Sequence, residues 1–97
     1  MHPTDADDLE FDEDNEAHLA RHGVRPIEVF EVFDSDPVYV PNKKGRSAHW
    51  KMLGDTDGGR ALTILVVCQE VRRLLRPITG WDSQSWELTR WRPRRGR

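Results

Sequence analysis

Apolar residues along the 97-residue chain recur first at helical and then at strand spacing. Asp12 stands where a helix N-cap belongs, Asn15 follows at the capping-box distance, and Ala17, Leu19 and Ala20 supply a modest apolar stripe. The spacing predicts a first helix over 12–22. Gly23 ends it, because glycine takes the left-handed conformation of a C-cap, and Arg21 and His22 suit the negative end of the helix dipole. Pro26 fits the first turn of a second helix, 26–34, in which Ile27, Val29, Phe30 and Phe33 fall at helical spacing. Asp34-Ser35-Asp36-Pro37 then stops it.

Thereafter the period changes to two. Val38 and Val40 mark a short strand, and Asn42-Lys43-Lys44-Gly45 reads as a basic loop. A second strand over 47–53 places Ala48, Trp50 and Met52 on one face, leaving Ser47, His49, Lys51 and Leu53 on the other. Residues 54–59 are a dense turn signal, and the run 61–68 is apolar on both faces, as a central strand would be. Residues 72–79 read as its hairpin partner, with Pro77 marking a bulge or a free edge. A last helix, 83–91, carries Trp86, Leu88 and Trp91 and is capped by Asp82 or Ser83. This order predicts an α+β fold: two N-terminal helices packed on a small antiparallel sheet of about four strands, with a C-terminal helix. One sheet face stays open unless the last helix covers it.

Hydrophobic residues make up 36% of the chain and charged residues 33%, so one small soluble domain fits and a second core does not. The expected organisation is a flexible acidic arm at 1–8, a single domain over 9–91 and a basic tail at 92–97. The longest charge-free run, 61–69, is less than half of the roughly 20 residues that an apolar membrane helix needs. The first residues lack a basic stretch followed by an apolar one, so no secretory signal is expected and the location read from the sequence is cytoplasmic. Cys68, the only cysteine, excludes an internal disulfide and a Cys-rich zinc site, and reads as a buried small hydrophobe.

The net charge of −2 hides an asymmetry. Residues 1–40 hold 12 acidic and 2 basic side chains, whereas 41–97 hold 5 and 13. Either the second part presents a basic surface to a polyanion such as nucleic acid, or the two parts neutralise each other within one fold. Period-two counting places His49 and Lys51 together on one strand, and Arg72 and Arg76 together on another, so these cations share the open face. Such a cluster without paired carboxylates is poor equipment for glycoside hydrolysis but suits RNA cleavage. There a ribose 2′-hydroxyl attacks the neighbouring phosphate, arginine neutralises growing charge and histidine moves a proton, with no metal or cofactor required. The same residues without chemistry are a solvated basic sheet face.

Asp14, His18 and His22 lie four apart on the first helix, which is either a set of metal ligands or a solvated face. A P-loop, a dinucleotide-binding glycine fingerprint, HExxH and Gly-x-Ser-x-Gly are all absent from the sequence. Trp50, Trp81, Trp86 and Trp91 suit packing in so small a core, or stacking on bases.

The segment from Phe11-Asp12-Glu13 through His18-Leu19-Ala20-Arg21-His22-Gly23-Val24 resembles the opening of BrnT-like toxins. There an aromatic-Asp start runs into a helix closed by a basic residue, His, Gly and Val. Glu28 to Phe33, Trp50 to Gly54, Gly59-Arg60 and Arg76-Pro77-Ile78-Thr79 resemble the later landmarks in order, so the likeness spans residues 9–91. It implies a RelE-like fold and the role of toxin in a type II toxin–antitoxin pair: an endoribonuclease without a metal, partnered by a small DNA-binding antitoxin. Arg76 matches the strand arginine of the family motif. His49 and Lys51 complete the catalytic candidates, and Lys43, Lys44, Arg46, Arg60 and Arg72 are the candidates for holding the RNA backbone. His49 and Trp81 occupy positions where the family often has arginine, so a catalytically weak or binding-only relative is the alternative.

Overall fold

The computed structural model describes residues 1–42 and 49–95, with side chains as far as Arg90. A 3-10 turn (Pro3–Asp5) precedes β1 (Asp8–Leu9), α1 (Glu13–Ala20), α2 (Pro26–Asp34), β2 (Val38–Pro41), β3 (His49–Asp55), β4 (Ala61–Gln69), β5 (Leu74–Asp82) and α3 (Ser85–Arg95). The strands form one sheet in the order β1-β5-β4-β3-β2, with β1 parallel to β5 and every other neighbour antiparallel. The class is α+β, but the sheet is mixed and five-stranded where an antiparallel sheet of about four strands was expected. The extra strand escapes sequence reading because two residues display no alternation.

α1 begins with a complete capping box: Asn15 N–H donates to Asp12 Oδ1 and Asp12 N–H donates to Asn15 Oδ1. The buried Asn15 amide also donates to the carbonyls of Glu10 and Pro77, tying the helix start to β5. Gly23 ends the helical turn at φ 70°. α2 lies against β3, and there Gly54 is required by close approach: a Cβ would sit 3.0 Å from Ser35 Oγ and 3.2 Å from Val32 Cγ1.

Directly opposed residues in an antiparallel ladder share a face. Trp50, Val66 and Pro77 form one such row, and Met52, Ile64 and Gly80 another. This face packs with Leu19, Val24, Val29 and Val32 of the helical segment into the hydrophobic core, with Leu9 and Leu75 included. The expected irregularity at Pro77 is a register shift between Leu65 and Val66 that leaves Ile78 unpaired. Cys68 packs against the core, and burial pushes its thiol pKa up.

On the second face the rows are Leu53-Thr63-Trp81, Lys51-Leu65-Thr79 and His49-Val67-Arg76. α3 lies over it through Glu87, a carboxylate only 1% exposed. Glu87 accepts from Thr63 Oγ1 at 3.0 Å, from Trp81 Nε1 at 3.1 Å and from the Gln84 N–H at 2.8 Å, with Lys51 Nζ 4.0 Å away. The Gln84 bond makes Glu87 the side chain that satisfies the helix start. Asp82 and Ser83, expected as caps, are engaged elsewhere: Asp82 with Arg60, and Ser83 with Thr63. α3 continues through Arg95, into the stretch read from the sequence as a basic tail.

The acidic stretch 1–8, expected as a flexible arm, forms a 3-10 turn at Pro3–Asp5 and enters β1 at Asp8. Asp7 N–H donates to the Arg73 carbonyl, and Glu10 N–H to the Leu75 carbonyl. Pro3 is buried, the His2 ring meets Trp50 edge-on at 4.8 Å, and the terminal amine pairs with Glu70 at 3.0 Å. Composition points to disorder here because the partners that tie the stretch to the sheet, Glu70, Arg73 and Leu75, lie far along the chain. Among the described residues no helix is long and apolar enough to cross a membrane.

Arg60, before β4, is a clasp. Its guanidinium holds Asp82 at 2.6 Å, the Gly23 carbonyl at 2.8 Å and Glu28 at 3.1 Å, joining the end of β5 to both N-terminal helices. The hydrogen bond from Arg60 holds the Asp82 carboxyl below its ordinary range. For Glu28, burial opposes ionisation, but the Arg25 N–H and Arg60 outweigh it and its pKa is also lowered.

Two predictions follow from these polar anchors. Replacing Glu87 with Ala leaves Trp81 Nε1 and the Gln84 N–H without their acceptor beside Lys51 and leaves Thr63 only Ser83 as a partner, and is expected to cost about 3 kcal/mol or more. Glu87→Gln costs less, because an acceptor remains. Urea unfolding at neutral pH reads both, and a loss below ~0.5 kcal/mol for Ala would contradict the anchoring role. Because the Asp82 and Glu28 pKa values are lowered on folding, their contribution is present above the ordinary carboxylate range of about 4 and is lost as pH falls through the lowered values. The acid-side decline in Tm is therefore expected to be shallower in Arg60→Met than in the parent chain. The difference is small, since Asp82 is 69% exposed and well screened.

Candidate functional site

The candidates on the sheet fall into two groups. Arg76, Val67 and His49 stand in one row across β5, β4 and β3, so Arg76 and His49 share a face about 10 Å apart along the hydrogen-bonding direction. Lys51 lies two residues further along β3 on the same face. Alternation read from the sequence therefore places these three backbone positions together. Their charged ends have separate partners.

Arg76 is drawn toward the start of α1. Its guanidinium grips Asp12 with two nitrogens, Nη1 at 2.8 Å from Oδ2 and Nη2 at 3.1 Å from Oδ1. This hydrogen bonding raises the Arg76 pKa and, with the Asn15 N–H, lowers that of Asp12. Glu10 Oε1 lies 3.8 Å from Arg76 Nη1, buried and without a hydrogen-bond partner among the described residues. Beside the pair, Arg76, Asp14, Asn15, His18 and Ile78 line a hollow of about 160 Å³.

That hollow brings His18 to Arg76, a grouping the sequence reading missed. His18 lies on the helix face that carries Asp14, where the sequence allows metal ligands or a solvated face and does not show the arginine. His18 instead stands 6.0 Å from His22, ring to ring. Among the described residues no three His, Cys, Asp or Glu side chains are grouped to hold a metal ion.

Lys51 is held toward α3. Its ammonium lies 4.0 Å from Glu87 and 4.7 Å from the centre of the Trp86 ring, a cation–π contact. His49 has a buried Nδ1 with no hydrogen-bond partner among the described residues. Burial pushes the Tyr39 phenol pKa far up, and its hydroxyl donates to Met52 Sδ at 3.4 Å.

The backbone-holding candidates are dispersed. Arg60 spends its donors within the clasp described above. Arg72 lies in the turn before β5 rather than on the strand beside Arg76, is exposed, and pairs with Glu10 at 3.1 Å. Its neighbour Arg73 pairs with Asp7 at 3.0 Å. Lys43, Lys44 and Arg46 lie outside the described residues. Of the four tryptophans, Trp50 packs against the core, Trp81 donates to Glu87, and Trp86 is 51% exposed; the side chain of Trp91 lies outside the description.

Compared with known proteins, the sequence matches no family model, and no curated protein matches it significantly.

Proposed function

We propose that this chain is a BrnT-like toxin of RelE-like architecture, acting in the cytoplasm as a metal-independent endoribonuclease and neutralised by a small DNA-binding antitoxin. The ordered motifs between Phe11 and Thr79 support the family. The observation that carries the chemistry is the position of Arg76: 27% exposed, beside a hollow, and bound to an Asp12 carboxylate that is itself 49% exposed. A phosphate offers the same bidentate geometry as that carboxylate, so an RNA backbone competes for the site that Asp12 occupies.

In the reaction, the ribose 2′-oxygen attacks the adjacent phosphorus and the bond to the 5′-oxygen breaks, leaving a cyclic phosphate. Arg76 neutralises charge on the non-bridging oxygens. His49 takes the 2′-hydroxyl proton or returns one to the leaving oxygen.

A second reading has its own observation. Arg76 and Lys51 each carry an internal carboxylate partner, and Trp81, at a position where the family often has arginine, serves Glu87. Both cations are then structural, and the fold is a binding module without turnover.

Purified chain incubated with a defined RNA, with and without a chelator, separates the two. Chelator-insensitive cleavage is expected, abolished in Arg76→Ala and slowed roughly 10²–10⁴-fold in His49→Ala. Equal cleavage by His49→Ala across pH 5–8 removes the acid–base role, and His18 becomes the residue to replace next. No cleavage by the parent chain selects the binding module. Asp12→Asn keeps the helix cap while removing the competing charge, so it is expected to raise RNA affinity at low salt.

A further inference from the structure

A second concavity lies on the face of the sheet that α3 crosses. It is a cleft of about 310 Å³ between β2, β3 and α3, at the small end of the ~300–1,000 Å³ typical of small-molecule sites. Val40 and Leu53 supply apolar walls, Asn42 an amide, and Lys51, Trp86 and Arg90 the remaining lining. Among the described residues no acidic side chain lines it.

Three features together specify a ligand. Trp86 is one of few large hydrophobic side chains left exposed, yet its orientation is fixed: the Lys51 ammonium lies 4.7 Å from the ring centre, and its Nε1 donates to Gln84 Oε1 at 3.0 Å. A ring half open to solvent and held at both edge and face is a stacking platform already organised. Arg90 follows Trp86 by four residues on α3, which brings it to the same helix face about 5–6 Å away. Its side chain is exposed and makes no ion pair with another described residue. Lys51, by contrast, has its charge matched by Glu87 at 4.0 Å, so among the described residues the unmatched cation at the cleft is Arg90. A planar aromatic group joined to an anion a few ångströms away fits this arrangement.

We propose that the cleft binds a nucleotide, with its base against Trp86 and its phosphate at Arg90. The inference deepens the ribonuclease reading, on which the choice of an RNA chain as the natural source of that nucleotide rests. The cleft then holds a nucleotide away from the Arg76 edge, positioning the strand without touching the reacting atoms.

The test uses the full chain and two probes, adenosine 5′-monophosphate and ribose 5-phosphate, titrated calorimetrically at low and physiological salt. The nucleotide is expected to bind, and to bind more tightly than the sugar phosphate. Trp86→Ala is expected to weaken nucleotide binding roughly 5- to 150-fold, the usual range for a lost base–aromatic stack. Arg90→Ala, at an exposed position that does not threaten folding, is expected to weaken it and to flatten its salt dependence. Nucleotide binding that is unchanged in both variants overturns the proposal, as does a parent chain that binds no nucleotide at millimolar concentration. If that parent chain still cleaves RNA, the ribonuclease reading survives and the cleft proposal alone fails. If nucleotide binds through Trp86 and Arg90 but no RNA is cleaved, the cleft is right and the ribonuclease reading fails.

Discussion

A buried carboxylate sets the terms for half of this molecule. Glu87 is 1% exposed, and an ionised carboxylate in such a place is tolerable only when its lone pairs are filled. Thr63 on β4, Trp81 on β5 and the first free N–H of α3 fill them, with Lys51 on β3 close by. These donors come from three neighbouring strands and one helix end, so satisfying Glu87 fixes where α3 lies and how it is rotated. Leu53, buried but outside the main core cluster, lines the cleft that α3 bounds. Trp86, one residue before Glu87, is thereby turned over Lys51 and into the cleft.

The charge asymmetry along the sequence is resolved partly inside the fold. Asp7 meets Arg73, Glu10 meets Arg72, Asp12 meets Arg76, and Glu28 meets Arg60. In each pair an acid from the first forty residues neutralises a base from the remainder, which is the second of the two meanings the sequence allows. The exposed pairs contribute little to stability, from about 0 to 1 kcal/mol each. The first three hold β1 and its flanks along β5, and the fourth joins α2 to the start of β4. Their functional effect is larger, because the arginines that a polyanion would seek around the β4–β5 turn already carry carboxylates.

What the sequence displays depends on how local the cause is. α2 is readable to its limits because Pro26 and the Asp34–Pro37 stop are adjacent to it. β4 is readable because a strand flanked on both sides in the sheet and buried over much of its length carries a continuous run of mostly apolar residues, and the Pro77 irregularity because proline cannot serve the ladder. The alternation of His49 and Lys51 against Trp50 and Met52 is equally local. β1 is too short to show a period, and its ordering needs Arg73 and Leu75, more than sixty residues away. Glu87 looks like any helix-surface acid, since nothing in its neighbourhood announces Thr63 and Trp81 as donors. The pairing of Arg76 with Asp12 is invisible for the same reason, and with it the hollow that brings His18 to the arginine.

Burial separates two cations, Arg76 and Lys51, that the sequence reading treats alike as catalytic candidates. Glu87, beside Lys51, cannot leave without stranding donors in a dry site, so Lys51 keeps its partner and serves chiefly to hold Trp86. Asp12, beside Arg76, is half exposed, and its capping bond to the Asn15 N–H survives if the guanidinium turns to another anion. Exchanging one oxyanion for another at such a site costs little, because water already screens both. The Arg76–Asp12 pair is therefore the one of the two that is open to exchange with solvent ions, and the Lys51–Glu87 pair under α3 is the one that is closed to it.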